Sequence, residues 1–131
     1  MQPLGRTRWA IPEGYLPRDS AAKPRSVRSH ETACLLNAGD SPAEVRLTVY
    51  FADRDPIGPF EVTVEPRRTK HLRFDELDDP ASIPRETDFS TVIESSVPIV
   101  VQHSRLDART GVAGLITTIA YAQQFTPTRA S

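Results

Sequence analysis

Residues 97–109 read Val-Pro-Ile-Val-Val-Gln-His-Ser-Arg-Leu-Asp-Ala-Arg, a run that begins apolar on both faces and ends with a charge at every second position. Side chains alternate between the two faces of an extended strand, so Ile99 and Val101 share a side with His103, Arg105, Asp107 and Arg109. A buried row therefore runs straight into a row of ionisable groups. If the polar half is partly withdrawn from water, Asp107 must pair with Arg105 or Arg109, because an unpaired buried carboxylate is costly.

The stretch from Arg67 to Phe74 repeats the pattern in reverse. Leu72 and Phe74 share a side with Lys70 and Arg68, whereas Thr69, His71 and Arg73 share the other with Arg67. Both strands are thus expected to carry a core row that ends in charge. The expected meeting of Arg68, Lys70, His103, Arg105 and Asp107 in one pocket follows from that symmetry.

The remaining chain supplies more strands. Gly5 to Ile11 reads as a short strand stopped by Pro12, with Trp9 in the core. Residues 13–28 carry two prolines and no period of either kind, so they form a loop, long enough to be a lid or contact surface. His30 to Leu36 is a strand closed by a turn at Asn37 to Pro42. Val45, Leu47, Val49 and Phe51 alternate with Arg46, Thr48 and Tyr50, and after a turn at Asp53 to Pro59 the strand Phe60 to Val64 completes a hairpin. Asp75 to Pro84 is a surface loop; Phe89 to Ser95 is a short strand separate from the one that follows it. Thr110-Gly111 turns the chain into a closing strand from Leu115 to Ala122, and residues 123–131 form a tail. About eight short strands without an amphipathic helix describe an all-β antiparallel sandwich or barrel, in a single domain over residues 1–122.

Composition narrows the function. With 16 basic against 17 acidic residues the net charge is -1, so no global field draws the chain to nucleic acid or an anionic membrane. The single cysteine, Cys34, excludes an intramolecular disulfide framework and suits a reducing compartment; its apolar neighbours favour a packing role over a nucleophilic one. No stretch approaches a membrane span or a signal peptide, which points to a soluble cytoplasmic protein. His30, His71 and His103 lack the short spacing of metal ligands, and no nucleophile elbow or phosphate loop is present, so neither a metal, a cofactor nor an enzyme is expected. The basic strip of Arg67, Arg68, Lys70 and Arg73 is diluted by Glu65, Asp75 and Glu76, which favours ion pairing across the sheet over nucleic acid. A small sugar-like ligand needs polar forks, carboxylates and an aromatic face, for which the candidates are Arg68, Lys70, His103, Arg105 and Asp107 with Trp9, Glu13, His30 and Glu31. The alternative is structural pairing, Arg105 with Asp107 and Glu31 with Arg73 or Lys70. Apolar runs such as Val97 to Val101 exceed what one thin sandwich must hide, so association of subunits is expected.

Several blocks carry a resemblance: Trp9-Ala-Ile, Glu13-Gly-Tyr, Ser29-His-Glu-Thr, Leu36-Asn-Ala-Gly-Asp, Arg67-Arg-Thr-Lys-His, Val97-Pro-Ile-Val-Val-Gln-His, Arg105-Leu-Asp and Thr118-Ile-Ala-Tyr-Ala. Spread over nearly the whole domain, they make the chain resemble the sensory rhodopsin transducer family, soluble transducers of cyanobacterial sensory rhodopsins. The resemblance implies a jelly-roll or carbohydrate-binding-module-like β-sandwich, a homotetramer, and a cytoplasmic, non-enzymatic role in relaying a signal from a membrane photoreceptor by protein-protein interaction. Both sugar and DNA binding are entertained for such proteins. Departures from the family concentrate in Leu16 to Arg28 and after Gln123.

Overall fold

The computed structural model describes residues 2–18, 24–108 and 114–124. Eight strands are present among them: β1 (Arg6–Ile11), β2 (His30–Asn37), β3 (Ala43–Phe51), β4 (Ile57–Val64), β5 (Arg68–Arg73), β6 (Phe89–Asp107), β7 (Gly114–Ile119) and β8 (Tyr121–Ala122). They make an antiparallel β-sandwich. One layer runs β4-β3-β6-β1-β8, and in the other β2 lies between β5 and β6, with β7 on the far side of β6.

The two layers share β6, which is one strand of 19 residues where two were expected. Its first half pairs with β3 as far as Ser95, and its second half pairs with β2 from Val100 onward. Pro98 falls between these registers, where the chain passes from one layer to the other, so its missing N–H removes no bond from either ladder.

Alternation decides which face is which. In the first layer Phe60, Leu47, Ile93 and Trp9 stand in one cross-strand row and are all buried. One residue along, Glu61, Arg46, Glu94 and Arg8 form the neighbouring row on the solvent face, alternating in sign. In the second layer Glu31, Ala33, Leu35 and Asn37 all point inward from β2 and are buried. The odd positions of β6, Ile99, Val101 and His103, complete that inner face, as the alternation of residues 97–109 requires.

Boundaries differ from expectation for local reasons. β4 starts at Ile57 instead of Phe60; it is an edge strand, and its register against β3 shifts between Leu47 and Val49, where Pro59 is tolerated. β5 starts at Arg68, because Arg67 adopts φ 57 and belongs to the turn. The expected closing strand is divided: β7 pairs with β6 in one layer and β8 with β1 in the other. Arg109, the turn at Thr110-Gly111 and the tail beyond Gln124 lie outside the described residues. Val97 and Val100 are half-buried while Ile99 and Val101 are fully buried, so this run is hidden within the protomer. Among the described residues the four most exposed large apolar side chains are on β7 and β8: Leu115 (68% exposed), Ile116 (67%), Ile119 (62%) and Tyr121 (61%).

Candidate functional site

At the end of the second layer, β2 and β6 set Glu31 directly opposite Arg105, and Ala33 opposite His103. The Glu31 carboxyl is 1% exposed at the side chain and sits 2.6 Å from His103 Nε2 through Oε1. Its Oε2 accepts the backbone N–H of Tyr15 and lies 3.9 Å from Arg105 Nε. Arg105 in turn donates from Nη1 to Glu13 Oε1 at 2.8 Å, and there the environment changes: the Arg105 side chain is 20% exposed, that of Glu13 72%. The cluster thus grades from a buried carboxyl to a surface ion pair across four side chains, Glu31, His103, Arg105 and Glu13. Burial of Glu31 is tolerable because each of its oxygens meets a hydrogen-bonding partner.

Through these contacts Glu31 and Arg105 hold the segment Glu13 to Pro17 across the end of the sandwich. Further bonds fasten it: Gly14 C=O accepts from Phe89 N–H at 3.0 Å, Leu16 C=O from Glu86 N–H at 2.7 Å, and Pro17 C=O from Arg85 Nη1 at 2.7 Å. Gly14 is needed for close approach, since a Cβ there would lie 2.4 Å from the Phe89 ring. Beyond residues 19–23, Arg25 is held by a second network. Its C=O accepts from Arg73 Nη1 at 2.9 Å, and its guanidinium forks onto Glu76. That hydrogen bond lowers the Glu76 pKa below the usual carboxylate value and raises that of Arg25. Arg73 is itself buried in a bidentate pair with Asp75, at 3.0 and 2.8 Å. The loop expected between Glu13 and Arg28 is therefore a strap, pinned wherever it is described.

The predicted site residues divide. Glu13, Glu31, His103 and Arg105 come together, and Asp107 follows on the same face, opposite Gly114 of β7. Arg105 reaches Glu13 and Glu31 in place of the anticipated Asp107, and Glu31 answers His103 and Arg105 in place of Arg73 or Lys70. Arg68 and Lys70 are on the Leu72 side of β5, opposite Asn37 and Leu35, but both are exposed. They do not meet Arg105, however. β5 and β6 both run antiparallel to β2 and so parallel to each other, which puts the basic start of β5 and the charged finish of β6 at opposite ends. Leu35 and Glu31 are four residues apart along β2, about 13 Å. Lys70 instead donates to the Thr63 carbonyl at 2.7 Å, and Arg68 to that of Arg67 at 3.0 Å. Trp9 is buried in the first layer with its indole N–H on the Arg6 carbonyl at 3.0 Å. His30 faces away from Glu31, its Nδ1 2.7 Å from the Arg28 carbonyl. His71 is exposed and opposite Cys34, whose sulfur is 3.8 Å from Ser104 Oγ.

Sequence reasoning missed two features. The first is the Arg73–Asp75 pair, whose i, i+2 spacing is no strong signal by itself. The second is Asn37, fully buried at the end of β2, which donates to the carbonyls of Ser41 (2.8 Å) and Val64 (3.0 Å) and accepts from Gly39 N–H (3.0 Å).

Beside the strap an open groove of about 480 Å³ is lined by Glu13, Gly14, Tyr50, Phe51, Asp88 and Ser90, among others. Among the described residues no helix is long and apolar enough to cross a membrane.

Comparison with known proteins places the chain. No curated protein matches it. The solved structure of the Anabaena sensory rhodopsin transducer is 55% identical, with a TM-score of 0.75, over 84% of this chain and 96% of that one. A Thermotoga maritima protein, 1070, is 37% identical with a TM-score of 0.82, over 94% of this chain and 99% of the other. The model of the Anabaena sensory rhodopsin transducer family matches residues 4–122, and the chain belongs to that family.

Proposed function

We propose that this chain is a non-enzymatic, cytoplasmic binding module that relays a signal by reversible contact with a membrane photoreceptor of the sensory rhodopsin kind, and that it works as a homo-oligomer, a tetramer by resemblance to its family. The observation that carries the reading is the division of Arg105 between a buried and an exposed carboxyl, with the exposed one, Glu13, on the strap. A carboxylate presented by a partner can take the place of Glu13 on the guanidinium and so loosen the strap, the Tyr15 amide on Glu31 included, so docking and a shift of the strap become one event. Only a difference in affinity for the two states of the receptor can carry a signal through such an exchange. Family and fold favour this reading over catalysis.

The test is a titration of the chain against a sensory rhodopsin held in nanodiscs. Saturable binding is expected, weakened about tenfold or more by Arg105→Met, the loss of one charge-assisted hydrogen bond. Absence of binding in darkness and in light would overturn the proposal.

A second reading has its own observation. The groove beside the strap offers a half-exposed Tyr50 ring together with Glu13, Asp88 and Ser90, the aromatic face and polar groups that a sugar requires. A sugar held there at a hundred times its Kd would stabilise the chain by about 2.7 kcal/mol. A thermal-shift screen of sugars that moves nothing at millimolar concentration removes this reading and leaves the first intact.

A further inference from the structure

We infer that the groove beside the strap takes a basic side chain, arginine or lysine, from the cytoplasmic face of the receptor, so that the partner docks through an acid on Arg105 and a base between Tyr50 and Asp88. The inference rests on the receptor contact proposed above and supplies its second half.

Register places the groups of the groove. Tyr50 stands opposite Ser90 across β3 and β6, on the solvent face of the first layer, and Asp88 lies two residues before Ser90 on the same side of the chain. Tyr50 and Asp88 are thus diagonal neighbours, about 7–8 Å apart at Cα, a gap that one guanidinium or ammonium group bridges. Glu13 lines the same groove from the strap.

Three features suit this groove to a cation. First, the charged side chains that line it, Glu13 and Asp88, are both acids. Glu13 is taken up by Arg105, but Asp88 is exposed and makes no ion pair among the described residues. Second, acceptors outnumber donors. Carboxylates only accept, and the Ser90 hydroxyl already donates to the Pro12 carbonyl at 2.7 Å, which turns its lone pairs to the role of acceptor; Lys and Arg carry donors and no acceptor. Third, the neighbouring residues make the same arrangement from within the chain. The Arg54 guanidinium lies over the Phe51 ring, 5.4 Å from its centroid, and is forked onto Asp53 at 3.0 and 3.4 Å. Tyr50 and Asp88 offer that pairing of ring and carboxylate to a cation from outside.

The partner's chemistry follows from its location. Cytoplasmic loops of membrane proteins carry an excess of Lys and Arg, so a basic side chain is what such a face presents. When a receptor carboxylate displaces Glu13 from Arg105, Glu13 stays at the groove with Asp88, and a neighbouring receptor base answers both. Ion pairs are then exchanged across the interface and no charge is left alone in it.

Two measurements test this. The first needs neither a variant nor the receptor: amide NMR of the full chain titrated with N-acetyl-arginine amide and, in parallel, with its citrulline counterpart, which keeps the shape without the charge. Saturable shifts at Ala52, Asp88 and Ser90 are expected with the arginine compound at millimolar concentration, and much smaller ones with citrulline. Equal shifts from both return the groove to the neutral ligand of the second reading and overturn the cation assignment, as does the absence of shifts with arginine. The second is titration against a sensory rhodopsin in nanodiscs. Asp88→Asn is expected to weaken binding and to lower its salt dependence. Asp88→Lys should weaken it about tenfold or more, because like charges then face each other, and Tyr50→Leu about two- to fivefold, the loss of one exposed cation–ring contact. Both side chains lie at the surface, so the variants keep the wild-type far-UV spectrum. Receptor binding that Asp88→Lys leaves unchanged overturns the groove assignment and leaves the Arg105 contact standing, whereas a wild-type chain that binds no receptor overturns both.

Discussion

Removing the Glu31 carboxyl strands three groups at once: the Tyr15 amide, His103 and part of the Arg105 guanidinium. Glu31→Ala should therefore cost about 3–5 kcal/mol, the range for breaking a buried pair on one side, in urea unfolding. Glu31→Gln, which keeps the shape and one acceptor, should cost less, and equal losses for the two would remove the cluster from the account of stability. Asn37→Ala, far from the cluster, leaves the Gly39 amide and the Ser41 and Val64 carbonyls without that partner. About 1–3 kcal/mol is expected for such a loss, with receptor binding unchanged because the strap is untouched. The row of Ile99, Val101, His103 and Arg105 was legible from spacing alone, because alternation is a local property of a strand. Their partners were less so: Glu13 and Glu31 are brought to Arg105 by strand pairing, and the pairing of Arg105 with Glu13 in preference to Asp107 is set in space.

Among the elements, β3 and its hairpin with β4 could be read from alternation and turn residues. Three things could not. The continuity of β6 past Pro98 depends on the proline falling between two ladders, which only the neighbours reveal. The early start of β4 depends on its being an edge strand. The separation of Arg68 and Lys70 from Arg105 depends on β5 and β6 being parallel through β2, and direction is invisible in a sequence of half-charged strands. The strap adds a prediction of its own. Because the Arg25 guanidinium lowers the Glu76 pKa, the stability from this pair is fully present above the ordinary carboxylate pKa and is lost as pH falls through the depressed folded value. The difference in Tm between wild type and Glu76→Gln should accordingly shrink in acid, and also in high salt, since both side chains are about half exposed or more. A difference that is flat from neutral pH to pH 2 would contradict it.

For the whole molecule, the two layers and their shared strand form a frame around a buried inner face, with one end crossed by the strap. The strap end suits exchange with a partner. The central claim is that a receptor state is read through the bond between Glu31 and the Tyr15 amide and the neighbouring Arg105–Glu13 pair. Amide hydrogen exchange at Tyr15, followed with sensory rhodopsin present in darkness and under illumination, tests it most directly. Strong protection is expected in the free chain, with a loss of protection in the presence of receptor under one illumination condition and not the other. Bound receptor that leaves the exchange of Tyr15 the same in darkness and in light would contradict the account.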